Sequence, residues 1–118
     1  MKMGRHINVI IALVLLEQGC SRTDEQFETV LKSPDQFQGQ EIEISGIFHH
    51  RFEDVAIYLT NEGETEKALW INYSEMLELP KSLDGLDGER IRIKGKFNKT
   101  DKGHLGQYAG SLDDAKIE

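Results

Sequence analysis

A single cysteine, Cys20, stands in the 118-residue chain, so no intramolecular disulfide can staple it in any compartment. Prolines are scarce as well, with only Pro34 and Pro80, and there is one tryptophan, Trp70. No stretch is dense in Lys and Arg. The 14 basic and 21 acidic residues give a net charge of −7. Nucleic-acid binding draws most of its affinity from cationic side chains that neutralise phosphates, so this balance disfavours it, and it disfavours electrostatic adhesion to anionic lipid heads for the same reason. Sequence signatures of catalysis are missing too: no GxSxG, HExxH, Walker loop, GxGxxG or CxxC occurs. The adjacent carboxylates Glu53-Asp54 and Asp113-Asp114 would point to opposite faces of a strand and cannot cooperate there without a bulge or turn.

What is present begins with an address. Lys2, Arg5 and His6 precede the apolar run from Ile7 to Leu16, followed by Glu17-Gln18-Gly19-Cys20. This is the charged-then-apolar order of a secretion signal. As a helix the run would rise ~15 Å, half of a hydrocarbon core of about 30 Å, so it is too short to be a stable span. Cys20 directly after it, with the small Gly19 before, resembles a bacterial lipoprotein signal; Glu17 and Gln18 stand where that motif prefers Leu and a small residue. The resemblance implies a signal peptide over 1–19 and a diacylglycerol-modified, acylated Cys20, a firm membrane anchor. Ser21 after it implies, by Gram-negative sorting, an outer-membrane lipoprotein facing the periplasm. Removing residues 1–19 takes away two basic residues and one acidic residue and leaves −8.

Residues 20–37 are expected to hold the lipidated cysteine, a short tether and an amphipathic helix. In the helix, over 23–32, Phe27, Val30 and Leu31 share a face, with Thr23 and Gln26 spaced as in a capping box and Ser33-Pro34 as the stop. Residues 38–118 read as one small, mostly β domain. Two segments repeat a frame of Gly, two residues, Ile, x, Ile, x, Gly, x, Phe: Gly39 to Phe48 and Gly88 to Phe97. Glu41 and Glu43 on the first complement Arg90, Arg92 and Lys94 on the second, which predicts antiparallel neighbours, and Gly46 and Gly95 mark bends or bulges. Val55–Thr60 and Ala68–Tyr73 predict a hairpin, Ser74–Leu79 a short helix stopped by Pro80, and His104–Ile117 a last strand broken by glycines.

The succession of three strands, short helix and two strands resembles an OB-fold, a five-stranded Greek-key barrel with its helix between strands three and four. The patterns Ile42-x-Ile44-x-Gly46 and Ile91-x-Ile93-x-Gly95-x-Phe97 carry the likeness. More narrowly, the chain is similar to small bacterial lipoproteins with a Gly-His-Leu-Gly-x-Tyr-x-Gly segment, here Gly103 to Gly110. The fold resemblance implies a ligand face on strands two and three, where alternation turns Tyr58 and Trp70 outward, flanked by loops carrying Arg51, Phe52 and His104, with Tyr108 at the start of the last strand as a further candidate. The amphipathic helix must bury its apolar side, and that face is its expected seat. These residues suggest a noncatalytic binding or interaction module without a cofactor, tethered to the membrane and meeting an envelope protein, peptidoglycan or an oligosaccharide. Two alternatives accompany it: a divalent-metal site on the loop histidines His49, His50 and His104, with Glu53 or Asp54 as a carboxylate ligand, imidazole and carboxylate being usual zinc ligands, and a small hydrolase with loop-borne carboxylates.

Overall fold

The computed structural model describes residues 22–73 and 83–118. The expected signal segment, Cys20 and the helix expected at 74–79 lie outside the described residues.

Five strands form a closed barrel: β1 (Glu41–Arg51), β2 (Asp54–Tyr58), β3 (Ala68–Tyr73), β4 (Arg90–Asn98) and β5 (Gly110–Ile117), in the spatial order β1-β2-β3-β5-β4. Every pairing is antiparallel except β3 with β5, which is parallel. Closure leaves no open sheet edge among the five described strands. The two segments that share the glycine frame are neighbours, as their charges predict. Glu43 is opposite Lys94, Ile44 opposite Ile93 and Glu41 opposite Lys96, with ion pairs Lys94–Glu41 at 3.2 Å and Arg92–Glu43 at 3.6 Å.

Strict alternation along β1 and β4 sends Ile42, Ile44 and Phe48, and Ile91, Ile93 and Phe97, into the barrel. Ile57, Leu69, Ile71 and Leu112 complete the filling. Gly46 is there because nothing larger fits: a Cβ at this position would lie 2.5 Å from the Tyr58 carbonyl oxygen and 2.9 Å from an Ile57 side-chain carbon. Gly95 faces a bulge instead. Between the pairs Lys94–Lys116 and Lys96–Asp113, β5 spends two residues, Asp114 and Ala115, against one on β4, and Asp114 takes up the extra length at φ 51°.

Helix α1, over 22–32, differs from expectation in its cap and in its seat. Thr23 lies inside the helix, and its hydroxyl meets Ser45 Oγ at 2.6 Å; the Gln26 side-chain oxygen accepts from the Glu43 amide at 3.0 Å. Both side chains are spent on β1 rather than on a capping box. Phe27 and Val30 are fully buried in the barrel's own core, where Phe27 reaches the space that Gly46 leaves open. The helix therefore plugs the barrel and does not cover Tyr58 and Trp70. Burying a side chain the size of Phe27 contributes about 2–3 kcal/mol. Ser33 ends α1, and Pro34 opens a further short helix, α2 (Pro34–Phe37), that the sequence pattern did not suggest.

Two boundaries also move. β1 continues through His49, His50 and Arg51 to a two-residue turn, Phe52-Glu53, so the histidines expected on a loop are strand residues. β5 begins only at Gly110; the segment before it makes a 3-10 turn at His104–Gly106, with Leu105 at φ 59°.

Candidate functional site

The parity that fills the barrel also builds its outer face. On β2, Asp54, Ala56 and Tyr58 share the outward side, with Ala56 opposite His49 on β1 and Trp70 on β3. Ala56, Tyr58, Ala68 and Tyr108 form a second buried cluster there, with Ile47 and Trp70 packed against it. Tyr58 and Tyr108 are each only 3% exposed.

Asp54 is the hub of this cluster. Its Oδ1 accepts from both the Tyr58 and Tyr108 hydroxyls at 2.8 Å, and its Oδ2 accepts from His49 Nδ1 at 2.7 Å. Burial works against the charge, yet the hydrogen bonds from His49, Tyr108 and Tyr58 outweigh it and hold the carboxyl below its ordinary 3.8. The phenols respond in the opposite sense. Burial, reinforced by the hydrogen bond to the carboxylate, raises Tyr58 far above its ordinary value and pushes Tyr108 up to about 12. His49 lies against the Tyr58 ring with centroids 4.0 Å apart.

The β4–β5 segment is folded down over this cluster. Gly103, at φ 67°, lies so close to Trp70 that a Cβ would come within 2.7 Å of it. His104 stacks on the Trp70 ring at 6.5 Å, Tyr108 lies on it at 5.3 Å, and His104 Nε2 pairs with Glu53 at 3.2 Å. Asp101 holds the segment's start by accepting from the Gly103 amide and from Asn72 Nδ2. The cover expected from the N-terminal helix is thus supplied by the chain's own β4–β5 segment. No family model matches the chain, and neither a curated protein nor a solved structure does. The chemistry of the site is therefore argued from its geometry.

Of the residues singled out from the sequence, Tyr58, Trp70, His104 and Tyr108 come together. Arg51 instead binds Asp87 at 2.9 Å, alongside the His50 amide. Phe52, beside it at the tip of the β1–β2 turn, is 91% exposed. His49 and His50 turn to opposite faces, His49 to Asp54 and His50 toward Phe48, and His104 pairs with Glu53, so the three imidazoles do not converge. Among the described residues no group of three or more His, Cys, Asp or Glu side chains is placed to hold a metal ion.

Asp54, Glu53 and Leu105 carry more of the site than the sequence pattern suggested. Parity offered a signal for the first, because Asp54 and Tyr58 are four apart on one strand. The expected approach of the two loops offers a signal for Glu53 beside His104, whereas Leu105, in a turn at positive φ, gave none. Chemically, an imidazole oriented by a carboxylate resembles half of a general-base pair. Here the same carboxylate also accepts from two buried phenols, which burial and that hydrogen bond keep in their protonated form. The arrangement clamps two loops together. It also concentrates the exposed apolar surface: Phe52 and Leu105, the latter 82% exposed, are the exposed large hydrophobic side chains of the described residues, and they flank the Glu53–His104 pair. A separate shallow cleft of about 400 Å³ lies between α1 and the β2–β3 connection, floored by Leu31 and Leu59 and rimmed by Glu28, Lys32, Glu66 and Lys67.

Proposed function

We propose that this chain is a noncatalytic binding module of the bacterial cell envelope, tethered through lipid on Cys20, and that its working surface is the loop end of an OB-fold barrel. The strand order β1-β2-β3-β5-β4 with a parallel β3–β5 pair supports the fold assignment. One observation carries the choice of surface. Tyr58 and Tyr108 are sealed and their hydroxyls spent on Asp54, whereas Phe52 and Leu105 project into solvent from two cross-braced loops. Preorganised apolar groups of this kind favour binding because little ordering cost remains.

A photoreactive side chain at position 52 of the full chain, activated in the envelope, tests the surface; a second at exposed Glu62, on the β2–β3 connection, is the control. Adducts are expected from position 52 well above the control, and equal yields from both would contradict the reading. Mass spectrometry of the mature N-terminus tests the tether, with acylated Cys20 expected.

A further inference from the structure

Three carboxylates gather at the loop end, Glu53, Asp54 and Asp87, and among the described residues the fixed cation bound to them is Arg51, on Asp87 at 2.9 Å. The other two carry imidazoles instead: His49 lies on Asp54 at 2.7 Å and His104 on Glu53 at 3.2 Å. The phenols on Asp54 donate hydrogen bonds but bring no positive charge. Asp101 and Lys102, side by side in the β4–β5 segment, offset one another. The charges of this end therefore balance only while both imidazoles are protonated. Once they are neutral, Glu53 and Asp54 are adjacent negative charges with no cation on either, and like charges at such separations repel. Imidazole is also the side chain whose charge changes close to neutral pH.

Both pairs bear on one element. His104, in the middle of the β4–β5 segment, lies on Trp70 and reaches back to Glu53 in the β1–β2 turn. His49, on β1, faces Asp54 and Tyr58 on β2, with Asp87 nearby and Arg51 two residues along its own strand, and Asp54 in turn holds the Tyr108 hydroxyl at the segment's far end. We infer that the β4–β5 segment, over 99–109, is a proton-sensitive strap, held down on Trp70 while His49 and His104 are protonated and loosened as they lose their protons. A neutral imidazole still donates one hydrogen bond, so each contact weakens without parting. The hold is greatest on the acid side of neutrality and falls as pH rises. Loosening uncovers the Trp70 ring and lets Leu105 move relative to Phe52. The inference concerns the barrel's own closure and stands apart from the tether and from whatever the apolar tips meet.

Trp70 is the chain's one tryptophan and lies under the strap, so it reports the opening without a label. Acrylamide, an uncharged quencher, is titrated into the full chain at about pH 5.5 and about pH 8, on either side of imidazole titration. The bimolecular quenching constant, taken from lifetimes, is expected to rise roughly two- to fivefold at the higher pH, the range that partly exposed ion pairs supply. Hydrogen exchange, corrected for its intrinsic pH dependence, gives a second reading. Protection of the Ala109 amide, which binds the Ala68 carbonyl, is expected to fall by a similar factor, while that of Phe48, bonded to Glu89 within the barrel, stays constant. Glu53→Gln, in the exposed turn, removes one pair and is expected to shrink the step; His49→Gln with His104→Gln is expected to abolish it. His50→Gln, on the opposite face, is expected to keep it. Equal quenching at the two pH values, a step of opposite sign, or a step left at full size by Glu53→Gln would overturn the inference. Phe48 losing protection together with Ala109 would show the whole barrel loosening and overturn it too.

Discussion

Tyr58 and Tyr108, fifty residues apart in the chain, donate their hydroxyls to the same oxygen of Asp54, each at 2.8 Å. This shared acceptor ties β2 to the end of the β4–β5 segment, and through His49 to β1 as well. The apolar tips are held in register because the loops that carry them converge on one carboxylate.

Replacing that carboxylate is therefore costly. Asp54→Ala leaves three donors without their acceptor and is expected to destabilise the fold by about 1–3 kcal/mol, with Asp54→Asn nearer the lower end. The loss is read from urea unfolding at neutral pH. Acid provides a second reading. Because the folded-state pKa lies below the ordinary 3.8, the contribution of Asp54 is complete above that value and is lost as pH falls through the folded pKa. Stability measured downward from pH 5 is expected to fall less steeply in Asp54→Asn than in the unaltered chain.

Alkali acts on the phenols. All three tyrosines are raised, Tyr58 furthest, and Tyr73 and Tyr108 to about 12, by burial in each case and by Asp54 for Tyr58 and Tyr108. A phenol raised in the folded state contributes stability below its unfolded value of 10 that is lost as pH rises through the folded value. Ultraviolet titration is expected to show no tyrosine ionising near pH 10 in the folded chain, with ionisation coinciding with alkaline unfolding. A normal titration step with the fold intact would count against the buried cluster.

Gly46 tests the packing of α1. A methyl group at that position has the Tyr58 carbonyl at 2.5 Å and the Phe27 ring at 3.1 Å, so Gly46→Ala is expected to cost about 1–3 kcal/mol by overpacking. Gly85→Ala meets nothing within 4 Å and is expected to change stability by less than about 0.5 kcal/mol. Thermal melting of the two variants side by side checks both.

The barrel was legible in the sequence wherever alternation and charge spoke together. Ile42, Ile44, Ile91 and Ile93 fixed which faces turn inward, and Glu41 and Glu43 against Lys94 and Arg92 indicated which strands pair. The outward aromatics were legible by the same parity. Their cover was not. Periodicity says that Phe27 and Leu31 must be buried but not against what, and the vacancy that receives Phe27 is made by Gly46, whose close approach to Tyr58 depends on three-dimensional strand bending. The hydrogen bond from Tyr108 to Asp54 spans 54 residues and leaves no local trace. His49 and His50 read as loop residues because a polar pair resembles a turn, whereas pairing with Val55 and Ala56 carries the strand through them.

Amide chemical-shift mapping of the full chain, on addition of phosphatidylcholine bicelles and separately of soluble peptidoglycan fragments, tests most directly whether contact is made at the loop end. Perturbations centred on Phe52, Glu53, His104 and Leu105 are expected, disappearing in the Phe52→Ser, Leu105→Ser double variant while its melting temperature stays unchanged. Perturbations spread over Ala56, Tyr58 and Ala68 with Phe52 and Leu105 silent would contradict it.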